Sequence, residues 1–274
     1  SPLNDFLSAC AHGDIRLSLD LFRSFLLSGY TNVDEMVSNG SWKFQIHQVI
    51  KPVMIPDRYF YDEALSNIPN IYQLRSLRQS SHFTGLRILR KISKGLEKSS
   101  PAYYDIAELR SYFAETFGMV EDFERNVDVL LKHGFIESNN RLDSFSSSVD
   151  SIKVTAYGLY MVRGLAFYFS YLDLICTDCG IFSEQISHYL TEAAKSEYSM
   201  FLDGDRVERV QVRLARVEEF IKYLEKEEIR ERDIYSLGMP ASEMFTALIK
   251  SNFEAEKRRV MKSAKRQEAV RRFR

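Results

Sequence analysis

The chain has 274 residues, 45% of them hydrophobic and 27% charged, enough for two or three small domains with apolar cores. Lys and Arg (37) balance Asp and Glu (38), so the formal charge of −1 excludes a protein that is strongly basic or acidic as a whole. Cys10, Cys176 and Cys179 are too few for a disulfide framework, and no apolar run reaches the ~18 to 20 residues of a membrane span. With no signal peptide, a reducing cytoplasm is the expected compartment.

The sequence opens SPLND, without an initiator Met and almost inside a helix, which reads as a segment of a longer protein. Leu3 to Ser28 has helical spacing with a break at His12-Gly13. Ile15, Leu19, Phe22 and Leu26 share one face, and Leu17, Leu21, Phe25 and Leu27 fill much of the rest. This predicts a helix buried nearly all round, capped by Asp14 and Gly29. A short helix from Thr31 or Asn32 to about Val37 follows. IHQVIKPVMI predicts a helix that Pro52 ends or kinks, and the aromatic RYFYDEALSNIPNIY an ordered loop.

Leu86, Leu89, Ile92 and Leu96 mark the next helix face. Asp105, three residues before Glu108, has N-cap spacing for a second helix ending at the Phe117-Gly118 turn. A third, over about 121–132, buries Phe123, Val127 and Leu130 or Leu131. HGFIES and SIKVTA predict two strands around a loop at Asn139-Asn140, and a helix starts near Tyr157. Three helices and a hairpin follow the winged-helix order, a helix-turn-helix variant.

From Ser183 onward the pattern is helical, with breaks at Gly204 and at Gly238-Met239-Pro240, before a final helix from Ala241. Val207, Val210, Leu214, Val217, Ile221 and Leu224 form a heptad seam. Such a seam packs within one chain, against 183–201 or 241–260, or pairs two chains. Its shortness between glycine breaks favours an intramolecular helical bundle and a monomer.

GDIRLSLDLFRSFLLSG (13–29), followed by the aromatic connector and the winged-helix order, resembles the lid end and winged helix of bacterial STAND/AAA+-like P-loop ATPases. The resemblance covers roughly residues 3–165. In that family a Gly-X-X-Arg step opens a lid helix, and its arginine senses the nucleotide's terminal phosphates; here it assigns that role to Arg16. A guanidinium at a helix N-terminus suits a phosphate. The chain has no G-x-x-x-x-G-K-S/T loop, so ATP and Mg²⁺ would belong to an ATPase core outside it. No cofactor is assigned to the chain, and alone it is not expected to hydrolyse ATP. The implied fold class is mainly α: lid-like helices at 1–40, an aromatic connector at 41–82, a winged helix at 83–175, and a helical bundle with a basic C-terminal helix at 176–274. The implied function is regulatory, coupling nucleotide state in the core to contact with a protein partner. The alternatives are a structural adaptor or a nucleic-acid-binding winged helix.

Charge is unevenly spread. Between Ala64 and Leu96 there is no acidic residue, while Arg75, Arg78, Arg87, Arg90, Lys91 and Lys94 are all basic. From Lys250 to Arg274, ten Lys and Arg, among them Lys257, Arg258, Arg259, Lys262, Lys265 and Arg266, stand against three Glu. Either stretch could follow a nucleic-acid backbone, be a solvated face, or meet acidic surface on the ATPase core. The third helix, VEDFERNVDVLLK, carries Glu121, Asp122, Glu124 and Asp128 against Arg125 and Lys132. An acidic helix is repelled from the major groove, so a protein-contacting or autoinhibitory winged helix is expected.

Cys176 and Cys179 have metal-ligand spacing but no second pair, and His188 is unsupported, so both read as structural thiols. His133 reads as a helix C-terminal residue favoured by the dipole. No catalytic set and no metal site is assigned.

Overall fold

Apolar spacing sets the first elements. In the computed structural model, which describes residues 2–11, 15–28, 33–38, 40, 46–55, 59–97, 103–203, 206–238 and 240–272, the chain opens with helices α1 (Pro2–Cys10), α2 (Ile15–Leu27), α3 (Val33–Ser38) and α4 (Ile46–Met54). The expected caps Asp14 and Gly29 lie outside the described residues. Helix α4 runs through Pro52 rather than ending there: the Ile55 N–H still donates to the Lys51 carbonyl at 2.9 Å, and Pro52 is buried. Proline costs a helix one donor and strains the turn before it, which a short buried helix near its end can absorb. The described part of the aromatic stretch, residues 59–72, packs as expected. Tyr61, Ile68, Ile71 and Tyr72 are buried, Asp62 caps a 3₁₀ turn at Glu63–Leu65, and the Tyr72 hydroxyl donates to the Ala166 carbonyl at 2.9 Å.

Next come α5 (Thr84–Glu97), β1 (Tyr104–Asp105), α6 (Ile106–Phe117), α7 (Val120–Lys132), β2 (Ile136–Ser138), β3 (Ser151–Val154) and α8 (Ala156–Arg163). Asp105 caps α6 as its spacing predicts, accepting from the Glu108 N–H at 2.9 Å. Gly118, at φ 66°, ends that helix in the left-handed region that favours glycine. The two expected strands pair antiparallel, with Ile136 opposite Val154 and Ser138 opposite Ile152. A third strand, β1, pairs with β3 and makes the sheet order β1-β3-β2; two residues are too few for alternation to reveal it. Leu109, Phe113, Phe117, Phe123, Val127 and Ile152 are buried, with the Phe113 and Phe123 rings 4.9 Å apart. Gly158 on α8 lets the backbones meet, since a β-carbon there would lie 2.1 Å from the Phe135 carbonyl oxygen.

Chain contacts divide the protein into two compact units, Ser1–Ala166 and Phe167–Arg274. The second holds α9 (Phe169–Ile175), α10 (Glu184–Asp203), α11 (Arg206–Ile234), a 3₁₀ turn at Ala241–Glu243 and α12 (Phe245–Arg272). Residues 167–175, grouped with the preceding segment in the sequence reading, thus belong with the bundle, where Phe169 packs on Phe253 at 6.0 Å. Helices α11 and α12 run antiparallel, pinned by Lys250–Glu225 at 2.8 Å and Lys257–Glu218 at 2.7 Å. Val210, Leu214, Val217, Ile221 and Leu224 are buried, so the heptad seam is used within the chain. The fold is mainly α with one small antiparallel sheet.

Candidate functional site

Helix α2 buries less than its composition predicts. Leu21 and Phe25 are 4% and 1% exposed, while Ile15 is 76% exposed, Leu19 61% and Leu27 74%. Phe22, stacked on Phe25 at 6.3 Å, is also exposed. The expectation of a helix buried nearly all round is therefore corrected: its seam of Ile15, Leu19 and Phe22 faces outward, because the chain covers only the Leu21–Phe25 side. Arg16 stands on the first turn, exposed, with exposed Asp20 and Arg23 at i+4 and i+7. Gly13 and Asp14 of the Gly-X-X-Arg step lie outside the described residues.

The first basic stretch does not make one free surface. Arg75 is spent internally, donating to both Glu63 carboxylate oxygens at 3.0 and 2.5 Å and to the Asn70 carbonyl at 2.8 Å. Arg87 lies 4.8 Å from the Phe117 ring centre and donates to Ser81 at 3.1 Å, and Lys91 lies 4.0 Å above the Tyr112 ring. Arg90 is half-buried; Arg78 and Lys94 are exposed.

The acidic character of α7 is largely absorbed as well. Asp122 is fully buried and not a surface charge. It accepts from the Ser80 hydroxyl at 2.6 Å, the Ser81 N–H at 3.2 Å, the Thr84 hydroxyl at 2.5 Å and Asn126 at 3.3 Å, and so ties the start of α5 to α7. Glu121 pairs with Arg125 at 2.8 Å and accepts from Ser76, Glu124 pairs with Arg110 at 2.7 Å, and Asp128 accepts from the Phe145 N–H in the hairpin loop. Repulsion by four free carboxylates is thus not what distinguishes this helix. Its N-terminal end, the part that enters a major groove in helix-turn-helix proteins, is instead contacted by the chain's own 76–81 segment. Beside it, Arg75, Arg125, Asp128 and Phe145 help to line an open groove of about 530 Å³.

On α12 the cations separate into two groups. Lys257 and Arg259 pair with Glu218 and Glu256, at 2.7 and 2.6 Å. Lys262, Lys265 and Arg266 are exposed and form no ion pair among the described residues.

Two features escaped the sequence. Asp173 and Glu197 share Arg213 and Arg216 in a buried four-charge network, with contacts of 2.8 Å from Arg216 to each acid and from Arg213 to Glu197. A lone Asp in the apolar run FYFSYLDLIC was the available signal, since a buried carboxylate requires a partner. Cys176 lies in the same cluster; burial pushes its thiol up to about 11, partly offset by the Arg216 guanidinium. The second feature is Glu228, whose carboxylate accepts from the Phe245 and Thr246 N–H groups, each at 2.8 Å, and from the Thr246 hydroxyl. His188 is exposed, and among the described residues no three His, Cys, Asp or Glu are placed to hold a metal ion. Nor is any described helix long and apolar enough to cross a membrane.

No protein-family model, curated protein or solved structure matches this chain.

Proposed function

We propose that the chain is a regulatory region of a larger P-loop ATPase, with lid-like helices that dock on a nucleotide-binding core and a winged helix that contacts a protein partner. The outward apolar face of α2 carries this reading. Ile15, Leu19 and Phe22 form a stripe at helical spacing whose exposure costs roughly 25 cal/mol per Å², and such stripes mark interaction surfaces. The resemblance of residues 13–29 to a lid end supplies the occupant, an ATPase core carrying ATP and Mg²⁺. Arg16, on the first turn of the same helix, is then positioned to meet the terminal phosphates when the face docks.

The winged-helix part of the reading is supported by the element order α5-β1-α6-α7-β2-β3 and the sheet order β1-β3-β2. A protein contact, rather than base readout, is supported by the 76–81 segment lying against the start of α7.

The test uses the parent ATPase. Arg16→Ala is expected to weaken ATP binding or slow turnover, and Leu19→Asp to release the lid-like helices from the core. Unchanged ATP affinity and turnover in Arg16→Ala removes the sensor role. Unchanged protease protection of this region in Leu19→Asp removes the docking.

A further inference from the structure

The outer face of α12 belongs to neither the apolar stripe nor the α7 groove. Its inner face is committed to the bundle through Phe245, Ile249, Phe253 and Ala264. Along the outer face, Lys250, Lys257 and Arg259 are neutralised by Glu225, Glu218 and Glu256. The residues left over form a line: Arg258, whose Nε donates to the Glu254 carbonyl at 3.3 Å, then Lys262, Lys265 and Arg266. Their spacing of four, three and one residues puts them on one side of the helix over about 12 Å. Glu254 and Glu268 flank this line, and no acid falls inside it.

The geometry points to a track for the phosphate backbone of duplex nucleic acid, bound without sequence readout. A duplex presents one negative charge per ~1.7 Å of axis, so a 12 Å line of four cations meets several phosphates at once. Single strands are held by aromatic platforms, and α12 exposes no aromatic side chain among the described residues. A membrane-surface helix needs an apolar face to sink into lipid, whereas on α12 Phe245, Ile249 and Phe253 are buried, Val260 and Met261 half-buried, and Leu248 and Val270 are the exposed large apolar side chains among the described residues. Cations on the outer face of a helix held in a bundle meet phosphates wherever they fall along a duplex, which predicts positioning contacts. The inference does not depend on an ATPase origin.

Fluorescence anisotropy of the full chain, with a labelled random-sequence duplex and a single strand of equal length across ~50 to 200 mM salt, tests it. Expected is duplex binding with a log–log salt slope of about −3 or steeper, from roughly 0.9 per neutralised phosphate. The triple change Lys262→Glu, Lys265→Glu, Arg266→Glu should weaken it by at least about tenfold and flatten the slope by roughly 3. All three positions are exposed, and an unchanged thermal midpoint confirms that the fold is kept. Arg78→Glu with Lys94→Glu should leave affinity unaltered. No duplex binding at the lowest salt overturns the inference. So does tighter binding to the single strand, or an affinity that the α12 changes leave intact while Arg78→Glu and Lys94→Glu abolish it. Dependence on one duplex sequence would likewise overturn the absence of base readout.

Discussion

Asp173 shows what a single misplaced charge demands. A carboxylate in an apolar helix loses several kcal/mol of hydration, recovered only by tight pairing. Here two acids and two arginines close a neutral square, and each arginine reaches both acids, which fixes α9 to α10 and α11. His133 makes the same point in reverse. It caps the end of α7, where the helix dipole favours a cation, yet burial is the larger influence and holds its imidazole below the ordinary value of 6.5. Lys132 and Arg75 push in the same direction, against Glu63 and the Asn67 backbone. His133 thus stands at the C-terminal end of α7, as its place before Gly134 predicts, with burial rather than the dipole the larger influence on its imidazole. Its unfolded form binds the extra proton, so its contribution to stability is full above 6.5 and is lost as pH falls through the lower folded value. His133→Gln should accordingly flatten the fall of the thermal midpoint between about pH 7 and about pH 5. An identical slope in the variant would show that His133 titrates alike in both states.

Among the elements, α11 shows best how far a pattern can be read. The seam from Val207 to Leu224 was legible because six apolar residues keep the 3-4 step, and from Val210 onward all of them are buried. The same step continues to Glu228 and Glu231, both nearly fully buried, but charge at those positions hides the seam from a hydrophobic count. Glu228 is there because the first N–H groups of α12 lack intrahelical partners, and its carboxylate supplies acceptors from the neighbouring helix. Replacing Glu228 with Ala should lower stability by about 2 to 3 kcal/mol, seen as a lower urea midpoint at unchanged slope. A midpoint within experimental scatter of the native chain would mean that water caps α12 equally well. Asp105 was legible for the opposite reason: its partner is three residues away, so sequence spacing alone reports it. Asp122 was not, because its partners Ser80, Ser81 and Thr84 are some forty residues distant and its neighbours Glu121 and Glu124 suggest a solvated face. The inside and outside of α2 were equally illegible, since apolar residues cover both of its sides and tertiary coverage alone decides between them.

For the whole molecule, the balance near zero conceals a division of labour. Many cations serve the fold, as Arg75, Arg87, Arg213 and Arg216 do, while Lys262, Lys265 and Arg266 stay exposed on one side of α12. Apolar surface divides likewise: the heptad seam is consumed inside the second unit, and the α2 stripe is left outward in the first. This separation decides what each face can do in association. A coiled-coil dimer through the seam would have to displace α10 and α12 from α11, breaking the Lys250–Glu225 and Lys257–Glu218 pairs and the Glu228 cap together. Leu214, only 3% exposed, is therefore a stability residue rather than a dimer contact. Leu214→Glu should cost about 3 to 5 kcal/mol, read from urea unfolding, through lost apolar burial and an unpaired buried carboxylate. In sedimentation velocity the native chain should show no seam-mediated dimer. A concentration-dependent dimer that Leu214→Glu dissolves while the unfolding midpoint holds would place the seam between two chains instead.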